Sequence, residues 1–215
     1  MKSRAVLLVL LWAAACPALP CRGAEVYADA LAAYKTEHYA DADTLCQKGL
    51  ATLSPDANKE RVRYLVLKGR IATGAKDYAK AKTVLEESLH LDPSSIAARR
   101  SLGDLAFRQR HYADARIAYQ DAAHYQPGNA DPDLVLALTY CALGQKDLGE
   151  ALRQASQLNA FDDKTPAAYF AQAAIARYKG DTATAAQTLQ TAATLYGPQA
   201  YADYARDYLF LFANS

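Results

Sequence analysis

From about residue 23 onward the apolar positions recur at helical rather than strand spacing, in short stretches broken by proline, glycine and aspartate. Tyr78, Ala81 and Leu85 lie three and four residues apart, as do Tyr112, Ala115 and Tyr119, so each set shares one face of a helix. Asp77 and Asp181 stand where they would cap the start of a helix, and Asp131-Pro132 and Thr165-Pro166 each put a capping side chain before a proline suited to the first helical turn. The pattern predicts helices joined by tight turns. The first 24 residues differ: Lys2 and Arg4 precede an apolar run at 5–15 (AVLLVLLWAAA), followed by CPALPCRGA. That order of charge, apolar run and small residues is the form of a secretory signal, and the run is shorter than the roughly 20 residues that span a bilayer.

The helical stretches repeat. LDPSS at 91–95 and YQPGN at 125–129 are 34 residues apart, as are Gly69 and Gly103, Tyr78 and Tyr112, Ala81 and Ala115, Leu85 and Tyr119, and Leu89 and Ala123. Two helical patterns per 34-residue period is a tetratricopeptide spacing. The chain resembles the tetratricopeptide-repeat family through Leu102, Gly103, Tyr112, Ala115, Tyr119, Ala122 and Pro127 in the unit 96–129. The unit 62–95 matches through Gly69, Tyr78, Ala81, Leu85, Ser88 and Pro93, with Lys68 where leucine is usual. Weaker units occupy 24–58 (Ala30, Tyr39, Ala42, Cys46) and 166–199 (Tyr169, Ala173, Ala185, Leu189, Ala192). The unit 130–165 starts on Leu136, Ala137 and Tyr140 and then fits only with two extra residues before Leu148 and Ala151. The resemblance implies an all-α fold after the signal-like segment 1–23: a right-handed α-solenoid of about five helix pairs, with 200–213 as a capping helix over the last pair.

Composition narrows the function. The 215 residues are 52% apolar with 8 prolines, enough for one packed array. Lys plus Arg total 24 and Asp plus Glu 23; Lys2, Arg4 and Arg22 belong to the leader, so the remainder is slightly acidic and offers no field for nucleic acid. Cys16 and Cys21 sit in or beside the leader, and Cys46 and Cys141 fall several repeats apart, which argues against a disulfide framework. Ala13, Ala14, Ala15 and Cys16 resemble a bacterial lipobox, making Cys16 a candidate lipidation site and the leader or a lipid anchor the one route to a membrane.

Catalytic signals are sparse. His90 and His124 occupy equivalent repeat positions, about 10 Å apart by stacking, too far to share a zinc ion, and no metal or cofactor is expected. His38 and His111 fall at interhelical turns. The family resemblance implies instead a concave groove lined by the first helix of each pair. By helical offset these residues are Tyr27, Tyr34 and Lys35; Arg63, Val66, Leu67 and Arg70; Arg100, Asp104, Phe107 and Arg108; Leu134, Leu138 and Cys141; and Phe170, Arg177 and Tyr178. Arginine and aromatic side chains are typical of binding hot spots, so a protein or peptide ligand is expected, favouring acidic residues. Leu31, Arg70 and Ser101 stand where chaperone-tail binders of the family carry asparagines, so that clamp is not implied. The expectation is an exported, non-catalytic interaction scaffold, periplasmic or membrane-anchored facing the periplasm in a bacterium and secreted otherwise. The alternatives are a lipid-anchored assembly factor for a pilus or outer-membrane complex and, less favoured, an enzyme.

Overall fold

The computed structural model describes residues 22–126, 128, 131–158 and 165–213, and all regular structure among them is helical. Cys16 and the leader before Arg22 lie outside the described residues. Ten helices follow one another: α1 (Arg22–Lys35), α2 (Tyr39–Ala51), α3 (Asn58–Gly74), α4 (Tyr78–Leu91), α5 (Ile96–Arg108), α6 (Tyr112–His124), α7 (Pro132–Gly144), α8 (Leu148–Ala155), α9 (Ala167–Tyr178) and α10 (Thr182–Phe212). They pack as five successive pairs, each against the next, and the first helices of neighbouring pairs also touch at α1–α3, α3–α5 and α7–α9. This is an all-α helical-repeat solenoid.

Every pair turns in the same way. Glu37, Lys76, Arg110 and Lys146 adopt left-handed backbone at φ 61° to 64°, and Gly180 does so at 84°. The next residue's N–H then reaches back across the turn: His38 to Ala33, Asp77 to Ala72, His111 to Ala106, Asp147 to Ala142 and Asp181 to Ala176, all at 2.9 or 3.0 Å. That closure satisfies the carbonyls left over at the end of each first helix. Asp77, Asp147 and Asp181 then accept the backbone N–H groups of Lys80, Glu150 and Thr184, opening the second helix.

Seven residues before each left-handed turn stands the residue where two helices cross: Ala30, Gly69, Gly103, Thr139 and Ala173. Twelve residues after it comes a buried alanine: Ala42, Ala81, Ala115, Ala151 and Ala185. A Cβ built on Gly69 would lie 2.5 Å from Leu85, so the glycine is what allows the pair to close. The fourth pair keeps the same internal spacing, which corrects the expectation of two extra residues before Leu148. They lie in the connection between α6 and α7, and the crossing residue is Thr139, not Ala137. Thr139 is fully buried and its hydroxyl donates to the Val135 carbonyl at 2.9 Å, so the polar group is satisfied. α7 is buried on nearly every side, which accounts for its almost wholly apolar sequence.

α10 is not one helix in geometry. Gly197 breaks it at φ 78° and ψ 169°, followed by Pro198. The part before the break is the second helix of the fifth pair; the terminal segment 198–212 turns back toward the inner face formed by the first helices. Its stripe of Tyr201, Tyr204, Tyr208 and Leu211 belongs to the core shared by α5 to α9. Among the described residues no helix is long and apolar enough to cross a membrane.

Candidate functional site

A cleft of about 700 Å³ lies between the first helices of the first four pairs and the terminal segment. α1 contributes Tyr34 and Lys35, α3 Val66 and Arg70, α5 Ala97, Arg100, Ser101, Asp104 and Phe107, and α7 Leu136, Ala137 and Tyr140. Gln199, Asp203, Tyr204, Arg206 and Asp207 form the opposite wall. The corrected register explains why Leu136 and Tyr140 line the cleft. Leu134, Leu138 and Cys141 are buried in the core instead, and Leu67 is likewise buried beneath α3.

The terminal segment covers much of the rest of the inner face. Phe107 packs its ring against Phe210 at 5.5 Å and against Tyr140 at 6.4 Å. Arg108 lies over the Phe210 ring at 4.7 Å and pairs with Asp207, while Arg110 donates to the Phe210 carbonyl at 3.3 Å. Phe170 is fully buried beneath Tyr201, Tyr204 and Tyr208, at 5.4, 5.6 and 6.1 Å between ring centroids. Arg177 sits over Phe212 at 4.9 Å. Tyr178 is exposed at the edge of α9. Thus Phe107, Arg108, Phe170 and Arg177 are met by the chain's own aromatic and acidic helix. The sequence signal for this was present: Tyr201, Tyr204, Tyr208 and Leu211 share one stripe, with Asp203 and Asp207 beside it.

Charge is distributed unevenly along the cleft. Arg100 pairs with Asp133 at 3.1 Å and Asp131 at 3.5 Å. Burial works against its charge, but Asp104, Asp133 and Asp131 outweigh it and raise its pKa. Asp104 accepts the Tyr119 hydroxyl at 2.7 Å, and burial together with that carboxylate pushes the phenol well above its ordinary value. Burial also raises the Asp207 carboxyl, opposed by Arg108, although 42% of its side chain remains accessible from the cleft. The Tyr140 hydroxyl is buried in the wall without a hydrogen-bond partner. At the amino-terminal end the balance changes: Lys35, Arg63 and Arg70 have no carboxylate partner among the described residues. Arg63 lies over Tyr27 at 4.6 Å and Arg70 over Tyr34 at 5.1 Å.

His38, His90, His111 and His124 are exposed, and among the described residues no group of three His, Cys, Asp or Glu side chains could hold a metal ion. Cys46 and Cys141 are free and buried.

Comparison with known proteins agrees with this architecture. The Tetratricopeptide repeat family model matches residues 72–131. The protein named cellulose synthase operon protein C in Escherichia coli O157:H7 is 34% identical over 103 residues; the match covers 48% of this chain and 9% of that much longer protein. Among solved structures, the tetratricopeptide-repeat protein TTC0263 of Thermus thermophilus superposes with a TM-score of 0.69 at 15% identity, covering 89% of this chain and 99% of that one. PilW, described as a widely conserved type IV pilus biogenesis factor, gives 0.63 at 16% identity, covering 92% and 96%. With the five left-handed turns, the crossing residues and the matched segment all in one register, residues 72–131 match the tetratricopeptide-repeat family and the array around them has the fold of tetratricopeptide-repeat proteins.

Proposed function

We propose that the protein is a non-catalytic scaffold that binds a segment of another protein on its inner face, in the part that the terminal segment leaves open. The cleft carries the reading: it combines arginine, tyrosine and aliphatic side chains on rigid helices, and its volume falls within the usual range for a ligand cleft. The fold is one that suits protein–protein interaction. A photo-reactive benzoylphenylalanine at Ala97, which is exposed inside the cleft, tests the assignment against the same group at Glu87, exposed on a second helix. Incubation with extract of the native host is expected to give a discrete adduct from position 97 and none from 87. Equal adducts from both positions, or none from 97, reject it.

We further propose that the protein acts after export, on the strength of the signal-like order of residues 1–23. Cys16 in its lipobox-like setting favours a second reading, a lipid-anchored assembly factor. The fold shared with PilW is compatible with that reading and does not carry it.

A further inference from the structure

The cations at the amino-terminal end of the inner face that have no carboxylate partner among the described residues form a regular device. Tyr27 and Tyr34 are seven residues apart on α1, and Arg63 and Arg70 are seven apart on α3. Each arginine lies over the corresponding tyrosine, at 4.6 and 5.1 Å. The tyrosines are themselves braced, Tyr27 edge-on to Tyr64 at 5.2 Å and Tyr34 tilted against Tyr39 at 6.2 Å. A guanidinium lying over a ring keeps its in-plane N–H donors free, and the ring limits the conformational freedom that binding would otherwise have to remove. Seven residues of helix rise about 10.5 Å, so the two forks stand roughly that far apart along α3. The other inner-face arginines differ: Arg100 and Arg108 already hold carboxylates from this chain, and Arg177 lies over Phe212 of the terminal segment.

We infer that Arg63 and Arg70 together read an extended segment of a partner protein bearing two carboxylate side chains three residues apart. In the polyproline II conformation three residues make one turn and advance about 9 Å, so side chains three apart share a face at close to the separation of the forks. Each carboxylate takes a two-point, charge-assisted contact from one guanidinium. Lys35, also without a carboxylate partner among the described residues, adds to the attraction beside Arg70, and Val66 between the two arginines offers an apolar floor. This inference rests on the inner-face binding reading and supplies the chemistry of its partner.

The test is fluorescence anisotropy with a fluorescein-labelled peptide of about twelve serines and alanines containing one leucine and two glutamates three positions apart, at about 50 mM salt. A second peptide has the same composition with the glutamates adjacent. The first is expected to bind about fivefold more tightly than the second, and R63Q or R70Q is expected to weaken it about tenfold, as loss of a charge-assisted bidentate contact implies. Glu86→Gln, on an exposed second-helix position, is the control and leaves binding unchanged. Equal affinity for the two peptides, indifference to R63Q and R70Q, or no saturable binding of either peptide would overturn the inference. A host partner captured at position 97 with undiminished yield in R63Q and R70Q would overturn it while leaving the inner-face reading intact.

Discussion

Gly103 on α5 and Tyr119 on α6 meet so closely that a Cβ on the glycine would stand 2.5 Å from the tyrosine ring. The ring cannot swing aside, because Tyr119 is buried and its hydroxyl is held by Asp104 at 2.7 Å. Gly103→Ala is therefore expected to destabilise the protein by about 1–3 kcal/mol, the usual range for overpacking. Gly149→Ala is the counterpart: this glycine is the second residue of α8, with only the Asp147 carboxylate near the added carbon, at 3.5 Å. There the substitution meets no clash and restricts the unfolded chain, and it is expected to stabilise by about 0.4–1 kcal/mol. Urea midpoints of the two variants, moving in opposite directions, check both.

Reversing Arg108 is expected to undock the terminal segment. Arg108→Glu removes the pairing with Asp207 and the guanidinium over Phe210, and sets two carboxylates against each other. Tryptic cleavage after Arg206 is expected to accelerate at least about tenfold, as a small cost in local opening energy implies. Reversal of Glu86 and Glu87, exposed on α4, leaves the cleavage rate unchanged.

Burial pushes the thiols of Cys46 and Cys141 up to about 12. The folded state thus favours the neutral thiol. Its stabilising contribution is complete below the unfolded value of about 8.5 and is lost as pH rises toward 12. At pH 8 a disulfide reagent is expected to label both cysteines slowly in the native protein and immediately in urea. Rapid native labelling of either would contradict its burial.

Export makes a simple mass prediction. Protein isolated from its native host is expected to lack the leader, starting near residues 18–24 after ordinary cleavage or at a lipid-bearing Cys16. Cys16→Ser releases it from membranes only under the second route, and intact Met1 in cytosolic material would contradict export altogether.

Much of the array is legible in the sequence because its contacts are local. The spacing from Gly69 to Ala81, repeated from Gly103 to Ala115, is a crossing within one pair, and 34-residue periodicity carries it forward. The fourth pair is harder to read, since Ala137 is smaller than Thr139 and size alone suggests the wrong crossing residue; only the turn at Lys146 fixes the register. The inner face is least legible. Its basic residues can be counted from sequence, but what they meet cannot: Arg108 pairs with Asp207, 99 residues away, and Arg110 donates to the Phe210 carbonyl, 100 residues away. No repeat period encodes such a contact.

The break at Gly197 changes how the array behaves as a folding unit. In an open solenoid each repeat feels only its neighbours, so the last pair frays first and the ends unravel independently of the middle. Here the chain after Gly197 returns to α5, tying the fifth pair to the third through Phe107, Arg108 and Arg110. Fraying of the fifth pair must also strip contacts from the third. The carboxy-terminal three pairs are therefore expected to exchange their amide protons as one cooperative block, with α1 and α2, outside that loop, opening alone, which hydrogen–deuterium exchange would check.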